Sequence, residues 1–227
     1  MDVIRWARRL AVVAGTAAAV TTPGLLSAHV PMVSAEPCPD VEVVFARGTG
    51  EPPGIGSVGG LFVDALRSQV GAKSLGVYAV NYPASNDFAS SDFPKTVIDG
   101  IRDAGSHIQS MAMSCPQTRQ VLGGYSQGAA VAGYVTSAVV PPAVPVQAVP
   151  APMAPEVANH VAAVTLFGAP SAQFLGQYGA PPIAIGPLYQ PKTRDSICGD
   201  GNSPVAHGLY AVNGMVGQGA NFAASRL

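Results

Sequence analysis

Charged residues are scarce in this sequence, and no block of one sign occurs. Of the 227 residues, 12 are Lys or Arg and 13 are Asp or Glu, so the formal net charge is −1. Proteins that bind nucleic acids need clustered basic side chains against the phosphates, and recruitment to anionic membranes needs a basic block. The composition therefore argues against a nucleic-acid partner and against electrostatic attachment to membranes.

The N-terminal segment lacks an apolar run of membrane-spanning length, although it begins like an exported protein. Three arginines precede the apolar residues 10–20, and this run is well short of the roughly 20 residues that cross a bilayer. Small residues at 33–35 suit cleavage before Glu36. The pattern predicts a signal peptide over residues 1–35, a secreted or cell-envelope location and no stable membrane insertion after cleavage. The mature chain would carry 9 basic and 12 acidic residues.

Cysteine occurs only three times, as Cys38, Cys115 and Cys198. None lies in a CxxC pair or has a close histidine partner, which disfavours a metal site, so neither a metal nor another cofactor is expected. In an exported chain at least two of the three should form a disulfide, and one must be left over. A bridge between Cys38 and Cys115 would close a long loop, for which the chain-entropy estimate is about 4–5 kcal/mol of stabilisation.

Strand-like and helix-like segments alternate along the rest of the chain. Strands are predicted at 41–48, 75–83, 118–126 and 160–170, with a fifth at 183–190, and helices at 58–70, 93–114, 127–140 and 207–227. This alternation predicts one α/β domain over residues 36–227, with helices on both faces of a parallel sheet. Residues 140–156 hold six prolines, so we expect an irregular surface insertion there.

The segment GYSQG, residues 124–128, matches the GxSxG pattern of a nucleophilic serine. Chance alone would give about 0.2 matches in so glycine-rich a chain, so the surroundings of the pattern decide its meaning. A predicted strand precedes Ser126, and a predicted helix follows it. A serine on that sharp turn projects its hydroxyl above the sheet, and glycine on both sides avoids a clash. Ser126 is therefore the candidate nucleophile.

A nucleophilic serine needs a histidine base and an acid, which in this fold class follow it in the order acid, then histidine. The acids after Ser126 are Glu156, Asp195 and Asp200, and the histidines are His160 and His207. His160 opens a strand at the wrong edge of the sheet, which leaves His207 as the base. Asp195 follows the predicted fifth strand directly, whereas Asp200 lies in a turn-forming segment. Asp195 is therefore the favoured acid.

An oxyanion hole requires backbone N–H groups aimed at the tetrahedral intermediate. Gln127, directly after the candidate nucleophile, supplies one of them. The loop RGTGE, residues 47–51, follows the first predicted strand and suits the other. Within it, Thr49 offers both an N–H and a hydroxyl.

Four segments together resemble the cutinase family, in particular its exported actinobacterial esterases. They are CPDVEVVFARGTGE, VYAVNYPAS, GGYSQGAAV and DSIC, with His207 nine residues after Cys198. The resemblance implies a small, lidless α/β-hydrolase with a central five-stranded parallel sheet, acting on carboxylic esters. By position it implies a triad of Ser126, Asp195 and His207, an oxyanion hole formed by Thr49 and Gln127, and a disulfide between Cys38 and Cys115.

The sequence departs from the family pattern in two places. No cysteine precedes Cys198 where the family has its second disulfide, so Cys198 is expected to be unpaired. The loop that carries Asp195 and His207 would then be less restrained. Residues 199–206 are also more polar than the apolar loop of many cutinases, which favours short or soluble esters.

These observations predict a secreted, monomeric serine carboxylesterase that hydrolyses short- to medium-chain fatty acyl esters, with an ester or lipid as substrate. Two alternatives stay open at this point. One is a lipase, phospholipase or thioesterase that uses the same triad. The other is a weakly active or inactive exported surface protein that binds a partner on this scaffold.

Overall fold

The computed structural model describes residues 37–137, 152–183, 197 and 203–227. The predicted signal peptide, most of the proline-rich insertion and nearly all of the predicted fifth strand lie outside these residues. Asp195 and Cys198 lie outside them as well, so their predicted roles stay predictions.

Four parallel strands form the sheet in the described part of the chain. They are β1 (Val41–Ala46), β2 (Leu75–Ala79), β3 (Arg119–Tyr125) and β4 (Val161–Phe167), in the order β2-β1-β3-β4. Each of the three neighbouring pairs is parallel. The predicted α/β architecture with a parallel sheet is therefore confirmed, and all four strands end at one edge of the sheet.

Seven helices connect and cover the strands in the described residues. They are α1 (Gly56–Arg67), α2 (Phe93–Ser114), α3 (Gln127–Val135), α4 (Pro155–Ala158), α5 (Ala172–Gly176), α6 (Pro204–His207) and α7 (Met215–Ala224). The single terminal helix predicted over 207–227 is wrong in detail, because His207 ends α6 and a separate helix follows. Gly214 has a left-handed φ of +82° immediately before α7, which separates the two helices.

Side chains of alternating residues in the strands fill two hydrophobic cores, one on each face of the sheet. Val44, Leu122 and Leu166 pack toward α2 and α3. Val43, Val121 and Phe167 pack toward α1 and α7. Because both faces are covered, β1 and β3 are buried along nearly their whole length, which explains their continuous apolar runs.

A polar cluster lies at the end of the sheet where the strands begin. His107 Nε2 lies 3.0 Å from Glu42 Oε1, and Gln120 Nε2 donates to Glu42 Oε2 at 3.2 Å. The ring of Tyr78 stacks on His107, and burial together with a hydrogen bond to Asp103 raises the pKa of Tyr78 to about 12. The neutral Tyr78 hydroxyl therefore stays a donor to the Asp103 carboxylate across the physiological pH range.

Cys38 and Cys115 form a disulfide, as predicted, with their Cα atoms 5.5 Å apart. Cys38 lies three residues before β1, and Cys115 caps the C-terminal end of α2. The bridge therefore connects the start of the described chain to the far end of its longest helix.

Candidate active site

Ser126 lies on a sharp turn between the end of β3 and the start of α3. Its backbone has φ +55° and ψ −118°, which non-glycine residues rarely adopt. The Ser126 N–H donates to Phe167 O at 2.9 Å, so the last residue of β4 supports the turn. The Ser126 carbonyl accepts from the N–H groups of Ala129 and Ala130. The strand, the turn and the helix predicted around Ser126 are all present.

The two glycines of GYSQG fit because a side chain at either position would collide with backbone atoms. A Cβ on Gly128 would lie 2.0 Å from Ala46 O and 2.4 Å from Arg47 O. A Cβ on Gly124 would lie 2.1 Å from Gly128 O. Neither neighbour is a flexible side chain, so the first turn of α3 would have to move away from the end of β1.

We expect Gly128→Ala to lower kcat/KM for an activated ester by at least ~100-fold, because a displacement of about 1 Å at the nucleophile is worth that much. The rate should be measured with p-nitrophenyl butyrate, and the melting temperature should be recorded for the same samples. Gly60→Ala is the matched control. Gly60 lies within α1, a Cβ there meets nothing within 4 Å, and alanine favours the helix. A Gly128→Ala variant with more than about a hundredth of the parent rate would contradict this prediction.

His207 lies close to the candidate nucleophile, with its Nε2 atom 2.8 Å from Ser126 Oγ. This is hydrogen-bond distance and the arrangement in which an imidazole takes a serine proton. Asp195, the acid predicted to orient His207, lies outside the described residues. The other candidate base, His160, precedes β4 at the opposite end of the sheet, as the sequence predicts.

Aromatic neighbours hold His207 in place, and sequence reasoning did not find them. Tyr125 Oη donates to the His207 carbonyl at 2.8 Å, and its ring stacks 5.5 Å from the imidazole. The rings of Tyr210 and His207 are nearly perpendicular, with their centroids 6.2 Å apart. A Cβ on Gly168, whose φ is +59°, would lie 3.2 Å from His207 Cε1. The position of Tyr125 next to Ser126 is the one signal that could have indicated its role.

The two predicted oxyanion residues, Thr49 and Gln127, line the same cavity as Ser126. Thr49 lies in the turn after β1, and Gln127 is the first residue of α3. The N-terminus of α3 adds positive potential here. The Gln127 side chain is buried. Its Nε2 donates to Ser85 O at 3.2 Å, and its Oε1 has no hydrogen-bond partner within the described structure.

An apolar cavity of about 140 Å³ opens beside Ser126. Its walls come from α2, α3 and the α5 region, namely Phe93, Val97, Ile98, Ile101, Ala130, Tyr134, Phe174, Leu175 and Tyr178. Tyr134 donates to Pro181 O at 2.6 Å, and burial raises its pKa to about 12. Its hydroxyl is therefore neutral and satisfied, which keeps the cavity wall uncharged.

Aromatic contacts join the two sides of this cavity. The ring centroid of Phe93, the first residue of α2, lies 5.2 Å from that of Tyr178. The ring centroid of Tyr178 lies 5.5 Å from that of Phe174. Phe88 extends the row at 4.8 Å from Phe93 and is 44% exposed. The row therefore runs from a solvent-exposed ring to the apolar walls of the cavity.

The described residues contain no cluster of three or more His, Cys, Asp or Glu side chains arranged to hold a metal ion. Within the same residues, none of the helices combines the length and the apolar character that crossing a bilayer would require.

The fold and this geometry define a serine hydrolase of the α/β class, and comparison with known proteins identifies the family. The sequence profile of the Cutinase family matches residues 37–227, so the chain belongs to the cutinase family. The predicted enzyme class, a cutinase-like carboxylic ester hydrolase, is confirmed with it.

Individual relatives agree with this assignment. Over 166 residues the chain is 96% identical to the "Probable carboxylesterase Culp7" of Mycobacterium tuberculosis, covering 70% of this chain and 89% of the relative. It is 48% identical to the "Phospholipase Culp4" of the same species, covering 98% and 96%. The catalytic core domain of acetyl xylan esterase from Trichoderma reesei superposes with a TM-score of 0.68 at 26% identity, covering 84% of this chain and 100% of that one.

Proposed function

We propose that the chain is a serine carboxylesterase in which Ser126 is the nucleophile, His207 the general base and Asp195 the acid that orients it. The observation that carries this proposal is the 2.8 Å separation of His207 Nε2 from Ser126 Oγ. It occurs on a strained strand-to-helix turn beside an apolar cavity. The same contact argues against the inactive binding protein, because a binding surface has no need of an aligned nucleophile and base.

The proposed reaction runs through an acyl-enzyme. Ser126 Oγ attacks the ester carbonyl while its proton passes to His207 Nε2, and His207 then gives that proton to the leaving alcohol. Water, deprotonated by His207, then attacks the acyl carbon. The bond between that carbon and Ser126 Oγ breaks, His207 returns the proton to Ser126 Oγ, and the carboxylic acid leaves. The negative oxygen of both tetrahedral intermediates would be held by the backbone N–H groups of Thr49 and Gln127.

The cavity supports a short- to medium-chain acyl group. A cavity of about 150 Å³ in another protein accommodates benzene, so the 140 Å³ beside Ser126 has room for about six carbon atoms. Each methylene buried against its apolar lining stabilises the bound ester by about 0.8 kcal/mol. Longer chains would have to extend past the exposed Phe88 into water.

We expect kcat/KM for p-nitrophenyl esters to rise from acetate to a maximum near butyrate or hexanoate and to fall beyond about ten carbons. Rates of the Ser126→Ala variant should be subtracted as background. Ala130→Leu, which fills the cavity from α3, should move the optimum toward acetate. Ala158→Leu on the exposed face of α4 should leave it unchanged. A parent rate that increases steadily to palmitate would refute the short-chain preference.

A phospholipase is the second candidate function. The relative named phospholipase is one reason, and exposed apolar residues close to His207 are another: Val205 is 70% exposed and Val212 is 77% exposed. These residues would face a lipid surface that presents its ester to Ser126. Release of fatty acid from phosphatidylcholine vesicles faster than from monomeric butyrate esters would favour this function.

We also propose that the protein is exported after cleavage of residues 1–35 and acts as a monomer outside the cell or in its envelope. The Cys38–Cys115 disulfide supports the exported location, because such bonds persist in oxidising compartments. The mature protein would carry one free thiol, on Cys198.

A further inference from the structure

Four consecutive carbonyl groups, residues 82–85, face the region of the two proposed oxyanion donors, and we call this segment the carbonyl strip. Each carbonyl accepts a hydrogen bond. Arg47 Nη2 donates to Tyr82 O at 2.7 Å and to Pro83 O at 3.3 Å, Gly50 N donates to Ala84 O at 2.8 Å, and Gln127 Nε2 donates to Ser85 O at 3.2 Å. The strip therefore binds both the loop that contains Thr49 and the first residue of α3.

The backbone of the carbonyl strip is strained. Ala84 has a left-handed φ of +49° and is almost fully buried. A non-glycine residue with this backbone costs of order 1–3 kcal/mol. The surrounding hydrogen bonds must hold it there, so the strip is rigid and depends on its donors.

Arg47 is the most unusual of these donors. Its side chain is only 5% exposed. In the described part of the chain its side-chain hydrogen bonds go to backbone carbonyls, because Nε also donates to Glu51 O at 2.8 Å. The guanidinium also lies over the ring of Tyr82, 5.1 Å from the ring centroid. A buried charge is costly unless it is well satisfied. If the side chain at position 47 only filled space, an apolar residue would give a more stable protein than arginine.

Glu51 fixes the other end of the same loop. Its Oε2 accepts from Gly48 N at 2.6 Å, and its Oε1 accepts from both Ser57 N and Ser57 Oγ at 2.9 Å. Thr49 thus lies between a residue whose N–H is held by Glu51 and a residue whose N–H is held by the carbonyl strip. The Thr49 N–H therefore belongs to a loop that is restrained on both sides of this residue.

We propose that Arg47 is a positioning residue for the oxyanion hole. Its guanidinium fixes the Thr49 loop to the carbonyl strip, while the Gln127 side chain fixes the start of α3 to the same strip. The two N–H donors are thereby set relative to one rigid segment before substrate binds. The inference rests on the proposed function, since it assigns a role within that catalytic site.

Preorganisation of this kind acts on the transition state rather than on substrate binding. The donors must lie about 2.7–3.1 Å from the oxygen as its charge develops. Arg47 can serve two strip carbonyls and Glu51 O together because the guanidinium is a planar fork of donors. The ammonium of lysine is a single point and cannot reproduce that geometry. Arg47→Lys therefore keeps the charge and removes the alignment.

The test compares the parent, Arg47→Lys and Arg119→Lys with p-nitrophenyl butyrate and its thiono analogue, in which sulfur replaces the carbonyl oxygen. Arg119 also donates to a backbone carbonyl, that of Asn159 at 2.7 Å, but it lies at the other end of the sheet. We expect Arg47→Lys to lower kcat by ~10–100-fold with KM within about threefold. The ratio of the oxygen-ester rate to the thiono-ester rate should fall at least ~5-fold. The N–H donors of the oxyanion hole stabilise a negatively charged sulfur much less than a negatively charged oxygen, so misplaced donors slow mainly the oxygen ester. Arg119→Lys should change none of these values.

The outcomes separate this inference from the proposed function. A parent without Ser126-dependent turnover would remove the proposed function itself. An active parent together with an Arg47→Lys variant of unchanged kcat and unchanged rate ratio would overturn only the inference. Should Arg47→Lys fail to fold, as judged by its melting temperature, Arg47→Gln decides the question. Glutamine is neutral and donates through one amide group, so it cannot bind the strip carbonyls and Glu51 O together. A lowered ratio supports the positioning role, and an unchanged ratio refutes it.

Discussion

Ser126→Ala should lower kcat for p-nitrophenyl butyrate by at least ~10⁴-fold. Without the hydroxyl no acyl-enzyme can form, and there is no serine proton for His207 to take. The residual rate would come from the oxyanion donors acting on attack by water. His207→Gln should cost nearly as much, since Ser126 Oγ would lose the base that lies 2.8 Å away. The double variant should be no worse than either single variant, because the two residues act as one unit.

Matched controls are available for both substitutions. His160→Gln changes the other histidine that follows Ser126, at the opposite end of the sheet, and Ser68→Ala changes an exposed serine beyond α1. Both should keep the parent rate. Inactivation by a p-nitrophenyl phosphonate, followed by mass analysis of the peptide containing Ser126, gives an independent readout. More than 1% of parent activity in purified Ser126→Ala would show that another residue is the nucleophile.

The double variant Cys38→Ser, Cys115→Ser should be the most destabilised of the substitutions considered. The disulfide spans a sequence separation of 77 residues, for which the chain-entropy model gives about 4–5 kcal/mol. That is a large part of the roughly 5–15 kcal/mol that stabilises a typical domain. The free energy of unfolding should be obtained from urea titrations, in which the bridge restricts the unfolded chain of the parent.

Two comparisons separate the bridge from the side chains. The parent measured in a thiol reductant should lose about the same free energy as the double variant. Cys198→Ser, at the cysteine predicted to be unpaired, should match the oxidised parent. A loss below about 1 kcal/mol in the double variant would mean that the unfolded chain is already compact and gains little freedom.

The pairing of Ser126 with His207 could be predicted because the sequence offers few rivals. Only two histidines follow Ser126, and one of them, His160, directly precedes a parallel strand and therefore lies at the wrong end of the sheet. The end of α6 at His207 was not predicted, because a four-residue helix that begins at Pro204 is too short to produce a periodic pattern. The apolar pattern after His207 predicts one continuous helix, because the sequence does not show that Gly214 has a left-handed backbone.

The cavity and the carbonyl strip could not be derived from the sequence, because both depend on contacts between distant segments. Arg47 and Tyr82 are 35 residues apart, and Phe93 and Tyr178 are much further apart. No local pattern marks Ala84 as left-handed, since alanine normally avoids that backbone. Sequence reasoning finds the residue types that carry the chemistry, whereas the supports around them follow from how the strands are ordered.

The link from Tyr125 to His207 has a mechanical consequence. Tyr125 is bonded covalently to Ser126, and its hydroxyl holds the His207 carbonyl at 2.8 Å. Any thermal displacement that carries α6 away from the sheet must stretch this tether before it widens the gap between imidazole and nucleophile. The base and the nucleophile are thus expected to move together in thermal fluctuations, so that the distance between them varies little.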